Sequence, residues 1–88
     1  MSENKPKITV YGTSWCGFCH AETAWFKSQD IPHEYKDIEA DPAAQQELLA
    51  KMNGQFQGVP VTTIGDDIIL GFDRPNLMDS LRNYGFIK

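Results

Sequence analysis

The hydrophobic pattern changes its period between residues 8 and 38, and this change restricts the fold more than any other feature. Residues 8–11 alternate apolar and polar side chains and stop at Gly12, which is typical of a strand. From residue 16 to 29 the period becomes helical and predicts Phe18, Ala21 and Trp25 on one apolar face. Residues 33–38 can form a second short strand, and their charges indicate an edge position. Two strands joined by a helix lie parallel, with a right-handed crossover.

Two further helices are predicted from their start and stop signals. Asp41 is a carboxylate at an N-cap position and Pro42 occupies the first helical position, so a helix begins there. Gly54 is the expected stop of that helix. A last helix is predicted to begin near Arg74 and to end at Gly85.

A hairpin completes the predicted architecture. Residues 61–64 and 68–70 are strand-like and flank the polar turn at residues 65–67. The order β-α-β-α-β-β-α predicts an α/β fold, a mixed four-stranded sheet flanked by three helices. We expect a single domain over residues 1–88, with residues 1–6 as a flexible N-terminus.

The net charge and the search for targeting signals restrict the kinds of partner and the cellular compartment that we expect. Eight Lys and Arg against twelve Asp and Glu give a net charge of −4. Because phosphate binding needs clustered basic side chains, we expect neither nucleic acid nor a membrane as partner. The first residues show no export signal, and no run of about 18 apolar residues occurs. We therefore expect a cytoplasmic protein, and in that reducing compartment two closely spaced cysteines indicate redox chemistry or metal binding.

Cys16 and Cys19 lie where the first strand gives way to the first helix. The free N–H groups and the positive dipole end of that helix stabilise a thiolate, the reactive form of cysteine. Lowering a thiol pKa from about 8.5 to about 7 takes roughly 2 kcal/mol and ionises about half of the thiol at neutral pH. Cys16, nearer the loop, is predicted to be the exposed attacking thiol. Cys19, one turn into the helix, is predicted to be more buried and to resolve the mixed disulfide.

The cysteine pair has three other interpretations. The cysteines could be inert core residues. A structural zinc site needs four ligands, and only His20 and His33 remain as candidates, so we expect no bound metal. Residues 16–20 also match the C-x-x-C-H pattern of covalent haem attachment, with Met52 or Met78 as an axial ligand. The missing export signal and the strand patterns argue against haem.

Other residues near the cysteines carry separate expectations. Base rates alone predict a trans Val59–Pro60 peptide, because only about 5–6% of such bonds are cis. Trp15 and Phe18 bracket the cysteines, and we expect one to pack inward while the other forms an apolar rim for substrate. Asp73 is predicted to cap the last helix.

Three motifs together resemble the glutaredoxins of the thioredoxin superfamily. They are residues 11–19 with the cysteine pair, residues 58–60 (Gly-Val-Pro) before a strand, and residues 71–75 (Gly-Phe-Asp-Arg-Pro) at the start of the last helix. The resemblance extends over residues 7–88, and the combination of Cys-x-x-Cys with Val-Pro at this separation is specific. It implies a thioredoxin-like fold.

The resemblance also implies roles for individual residues. Cys16 corresponds to the family's nucleophile and Cys19 to its resolving cysteine. The Val59–Pro60 peptide of the family is cis, and its valine backbone pairs with the substrate like a strand. The predicted substrate- and glutathione-binding residues are Thr13, Trp15, Phe18, Gln57, Val59, Pro60, Gly71, Phe72 and Asp73.

This chain departs from the glutaredoxin pattern at two positions. Glutaredoxins commonly carry Lys where Thr13 stands, and a second glycine where Phe72 stands. The segment from Gly71 is more similar to the glutaredoxin-like redoxins that serve ribonucleotide reductase and take electrons from thioredoxin reductase. Cys-Gly-Phe is also similar to the monothiol glutaredoxins that carry iron–sulfur clusters, although those have Ser in place of Cys19.

The sequence therefore predicts a thiol–disulfide oxidoreductase that reduces protein or glutathione mixed disulfides. Its expected electron donor is glutathione, as a co-substrate, or thioredoxin reductase, and ribonucleotide reductase is a candidate partner. We expect a monomer without a tightly bound cofactor. The alternatives are an iron–sulfur or haem carrier, and a non-catalytic binding module on the same scaffold.

Overall fold

The computed structural model describes residues 6–55 and 58–87, and it confirms the predicted order of elements. The elements are β1 (Ile8–Gly12), α1 (Gly17–Ser28), β2 (Glu34–Asp37), α2 (Pro42–Lys51), β3 (Val61–Ile64), β4 (Asp67–Leu70) and α3 (Arg74–Asn83). The predicted flexible segment lies outside the described residues except for Pro6. Within the described ranges, no helix is both long enough and apolar enough to cross a membrane.

The four strands form one mixed sheet in the order β2-β1-β3-β4. β1 and β2 are parallel, with Val10 opposite Tyr35, as the β-α-β order requires. β3 lies antiparallel to both β1 and β4. β2 is an edge strand, as its charged residues indicated. Asp67 pairs with Ile64, so the hairpin loop is shorter than predicted and consists of Gly65 and Asp66 alone.

Helices cover both faces of the sheet. The cluster beneath α1 and α3 comprises Ile8, Val10, Phe26, Ile31, Ile64, Ile69, Leu77 and Leu81. The cluster beneath α2 comprises Tyr11, Ile38, Ala44, Leu48 and Val61. Because successive strand residues point to opposite faces, Val10 and Tyr11 contribute to different clusters. The alternation in β1 therefore places α1 and α3 on one side and α2 on the other.

The buried face of α1 differs from the predicted one. The face predicted from Phe18, Ala21 and Trp25 is wrong, because Phe18 is 70% exposed, Ala21 is exposed and Trp25 is only partly buried against the core. The buried residues of α1 are Cys19, Glu22 and Phe26. The helical period was right but its phase was displaced by one residue. A glutamate in the middle of the buried face made that face look polar in the sequence.

Both predicted acidic caps are present. Asp41 accepts hydrogen bonds from the backbone N–H groups of Ala43 at 3.1 Å and Ala44 at 3.4 Å. Asp73 accepts one from the N–H of Asn76 at 3.3 Å. Each cap satisfies helix N–H groups that would otherwise lack partners, so these two side chains define where α2 and α3 begin.

Candidate active site

Three chain segments meet at one end of the sheet. β1 ends there at Gly12 and continues into the loop that carries the cysteines. β3 begins there, because the antiparallel pair of Tyr11 with Val61 brings the preceding Pro60 alongside Gly12. β4 ends there, and the N–H of Gly71 donates to the carbonyl of Pro60 at 2.8 Å. The topology therefore assembles the cysteine loop, the Val-Pro segment and the start of α3 side by side.

Cys16 is the N-cap of α1. Its Sγ accepts a hydrogen bond from the backbone N–H of Cys19 at 3.1 Å, and its carbonyl accepts one from the N–H of His20 at 3.2 Å. The first turn of α1 contains no acidic residue. The helix dipole and this N–H group both favour negative charge on the sulfur, so the geometry stabilises a thiolate at Cys16.

The two cysteines form a disulfide with their Cα atoms 5.2 Å apart. Their burial follows the expected order, since Cys16 is 6% exposed and Cys19 is fully buried. The expectation that Cys16 is exposed is nevertheless wrong for this oxidised form. Because Cys16 caps the helix, its side chain turns back over the first turn, where the disulfide and the helix cover it.

Trp15 and Phe18 are exposed on either side of Cys16, at 69% and 70%. The expectation that one of them packs inward is therefore wrong, because the inward positions are taken by the cysteines. The indole N–H of Trp15 donates to the carboxylate of Glu39 at 3.0 Å, which connects the cysteine loop to the turn after β2. The rim around the disulfide is apolar on both sides.

The backbone of Thr13 supports the cysteine loop. Its carbonyl accepts hydrogen bonds from the N–H of Cys16 at 3.3 Å and from the hydroxyl of Tyr35 at 2.9 Å. Burial, with a smaller contribution from Asp37, raises the pKa of Tyr35, so this hydroxyl stays a donor at neutral pH. The Thr13 side chain is buried, and its hydroxyl has no hydrogen-bond partner within residues 6–55 and 58–87. The sequence did not indicate Tyr35, because this contact spans 22 residues.

Gly12 brings β1 close to the buried cysteine. A Cβ added at Gly12 would lie 2.7 Å from Sγ and 2.9 Å from Cβ of Cys19, and 3.0 Å from Cε1 of Tyr35. We expect Gly12→Ala to lower the free energy of unfolding of the disulfide form by about 1–3 kcal/mol through overpacking. Gly17→Ala is the matched control, because a Cβ there meets nothing within 4 Å. Urea unfolding of both variants tests this, and equal stability of the two would contradict the close approach.

A groove lies beside the cysteine loop. Its lining residues are Gly58, Val59, Pro60, Leu70 and Gly71, and its volume is about 290 Å³. The Val59–Pro60 peptide is cis, so the trans expectation from base rates is wrong and the isomer implied by the resemblance is confirmed.

The remaining predicted site residues lie at the start of α3 or outside the described chain. Phe72 is half-buried and its ring packs against Trp25, with centroids 6.1 Å apart. Asp73 caps α3. Gln57 lies outside the described residues.

Glu22 is a fully buried carboxyl group on α1, one turn after Cys19. One of its oxygens accepts a hydrogen bond from the hydroxyl of Thr62 on β3. Burial raises the pKa of Glu22 to about 7, and the Thr62 hydrogen bond opposes this rise. The sequence did not indicate this group, since a glutamate in a helix is ordinarily exposed to solvent.

The sheet order, the helix-capping cysteine pair and the cis-proline segment define a thioredoxin-like protein with a redox-active dithiol. The glutaredoxin family model matches residues 8–69, and the chain belongs to the glutaredoxin family.

Individual relatives agree with this assignment. A glutaredoxin-like 8.6 kDa protein in the rubredoxin operon of Clostridium pasteurianum is 31% identical over 71 residues, which cover 80% of this chain and 91% of that protein. The glutaredoxin-like protein NrdH-redoxin from Escherichia coli superposes with a TM-score of 0.71 at 28% identity, covering 85% of this chain and 93% of that one. The thioredoxin-like protein BC3987 superposes with a TM-score of 0.77 at 27% identity, covering 85% and 100% of the two chains.

Proposed function

We propose that this protein is a thiol–disulfide oxidoreductase that reduces disulfide bonds in other proteins. The observation that carries the proposal is the position of Cys16 Sγ at the start of α1, where it accepts the N–H of Cys19 at 3.1 Å. In the reduced protein, the Cys16 thiolate attacks a substrate disulfide and one substrate thiolate leaves. Cys19 then attacks Cys16, the second substrate thiolate leaves, and the Cys16–Cys19 disulfide forms.

The surface around the cysteines supports a protein as substrate. Trp15 and Phe18 are exposed beside Cys16, and Leu70 is 53% exposed on the wall of the neighbouring groove. Exposed aromatic and aliphatic side chains of this size are typical of protein-binding surfaces. In the proposed complex, the substrate chain lies along Val59 in an extended conformation, next to the disulfide being reduced.

We further propose that electrons come from a flavoprotein of the thioredoxin reductase class rather than from glutathione. Thr13 is uncharged and buried where glutaredoxins commonly carry Lys, so it offers no charge to a glutathione carboxylate. Phe72 fills the position of the second glycine, and its ring packs on Trp25. The similar NrdH-redoxin of Escherichia coli is described as having a thioredoxin-like activity profile, which supports the same assignment here.

The test supplies each donor system separately with a protein disulfide as substrate. NADPH oxidation is followed with thioredoxin reductase in one arm, and with glutathione and its reductase in the other. A missing charged hydrogen bond costs about 1.5–3 kcal/mol, so we expect the glutathione arm to be slower by roughly 10- to 100-fold. Faster turnover with glutathione would contradict the donor assignment, and no turnover in either arm would contradict the proposed activity.

A further inference from the structure

The buried carboxyl group of Glu22 has a hydrogen-bond partner for one of its two oxygens. Its side chain is fully buried, and one carboxyl oxygen accepts the Thr62 hydroxyl. The other oxygen has no hydrogen-bond partner among the residues that the structure describes. Burying a carboxyl group with an unpaired oxygen is costly, so such a group in a small core calls for a reason.

Glu22 lies one helical turn from the resolving cysteine. Glu22 follows Cys19 by three residues on the same buried face of α1. Helical side chains lean toward the N-terminus of their helix, so the carboxyl group leans toward the turn that carries Cys19. The sheet sets the separation: Cys19 Sγ lies against Gly12, whereas Thr62, the partner of Glu22, pairs with Val10, two residues earlier on β1 and about 7 Å along the same face of the strand.

We propose that Glu22 is the proton acceptor of Cys19 during resolution of the mixed disulfide. This inference rests on the proposed oxidoreductase activity and assigns one proton within it. A thiol attacks only as a thiolate. Cys19 is fully buried in the disulfide form, and a thiol held in that position needs an acceptor for its proton inside the protein.

The step balances in atoms and electrons. The Cys19 thiol transfers its proton to the Glu22 carboxylate, and the resulting thiolate attacks the sulfur of Cys16. The bond between Cys16 and the substrate sulfur breaks, the Cys16–Cys19 bond forms, and the substrate thiolate leaves. Over the two steps, the dithiol is oxidised by two electrons and the substrate disulfide is reduced by two. Glu22 then releases its proton to the departing thiolate or to water.

The electrostatics of Glu22 agree with this role. Its pKa is raised to about 7 by burial, so both protonation states are accessible at neutral pH. Besides burial, the neutral Thr62 hydroxyl from β3 acts on this pKa, and Cys19, which carries a proton only in the reduced protein, lies one turn away on the same helix. Within the described part of the chain, no charged side chain contributes to this shift.

The experiment separates attack by Cys16 from resolution by Cys19. The reduced protein is mixed with the aromatic disulfide 5,5′-dithiobis(2-nitrobenzoate), which releases one coloured thiolate when Cys16 attacks and a second when Cys19 resolves. Both phases are followed by stopped flow from about pH 6 to about pH 9. The variants are Glu22→Gln, Thr62→Val and Glu34→Gln; the last removes one carboxylate from the exposed edge strand β2 as a matched control.

In the wild type we expect the second phase to accelerate with rising pH, with an inflection near pH 7. Glu22→Gln should leave the first phase unchanged, slow the second by about 100-fold or more, and remove this inflection. Thr62→Val should move the inflection to higher pH, because the Thr62 hydrogen bond lowers the pKa of Glu22. Glu34→Gln should behave like the wild type.

The experiment distinguishes a failure of the proposed activity from a failure of the role proposed for Glu22. A wild-type protein that releases no first thiolate contradicts the proposed oxidoreductase activity itself. A normal first phase, with the same second phase and inflection in Glu22→Gln, contradicts only the role of Glu22. Thermal unfolding tests whether each variant is folded. If Glu22→Gln does not fold, Thr62→Val decides the question: a second phase whose inflection stays at the wild-type pH overturns the inference.

Discussion

Cys16→Ser is expected to reduce disulfide reductase activity to background, a loss of at least about 10³-fold. A serine hydroxyl stays protonated at neutral pH, so the start of α1 no longer holds a nucleophilic anion. No mixed disulfide with substrate can then form at this position. Mass spectrometry of the trapped intermediate and NADPH-coupled turnover measure the two consequences separately.

Cys19→Ser is the control that separates attack from resolution. This variant keeps the attacking sulfur of Cys16 but lacks the thiol that displaces the substrate. It should accumulate a stable mixed disulfide with a protein substrate. It should retain activity only in those reactions that run through a glutathione mixed disulfide. Retained reduction of protein disulfides by Cys16→Ser would contradict the assigned roles.

Glu22 is expected to make the folded protein less stable as the pH rises through about 7. Its pKa is raised from 4.5 to about 7, so the folded state holds a proton that the unfolded state releases earlier. The resulting stability is fully present below about pH 4.5 and is lost as the pH rises through about 7. This difference in pKa corresponds to up to about 3 kcal/mol in the free energy of unfolding.

Urea unfolding of the disulfide form at about pH 5 and about pH 8.5 measures this contribution. The wild type should lose up to about 3 kcal/mol more than Glu22→Gln between the two conditions, because the glutamine side chain of the variant does not ionise. Glu34→Gln, which lies on the exposed edge strand, should keep the wild-type dependence. An equal pH dependence in the wild type and Glu22→Gln would show that Glu22 is ionised in the folded protein throughout this range.

Local signals were sufficient to predict the order of elements. The alternation in β1 and the caps at Asp41 and Asp73 act within a few residues, and the structure contains each of them. The phase of α1 was missed because its buried face includes Glu22, which is compatible with the core only through a partner on β3. A single sequence does not show that partner, since Thr62 is 40 residues away.

The same distinction between local and long-range signals applies to the candidate site. The cysteine pair and its helix N-terminus were predictable, because spacing along one helix determines their geometry. Gly12 and Tyr35 were missed, because each acts through packing between β1, β2 and α1 that only the assembled sheet reveals. The cis Val59–Pro60 peptide followed from the family resemblance and not from the residues themselves.

The thiolate at Cys16 is the central claim, and titration of the reduced protein tests it most directly. Ultraviolet absorbance of the thiolate is recorded against pH in Cys19→Ser, where Cys16 is the only cysteine. The helix N-terminus should hold the pKa of Cys16 below the ordinary thiol value of about 8.5. A Cys16 thiol that stays protonated up to or beyond that value would contradict the account.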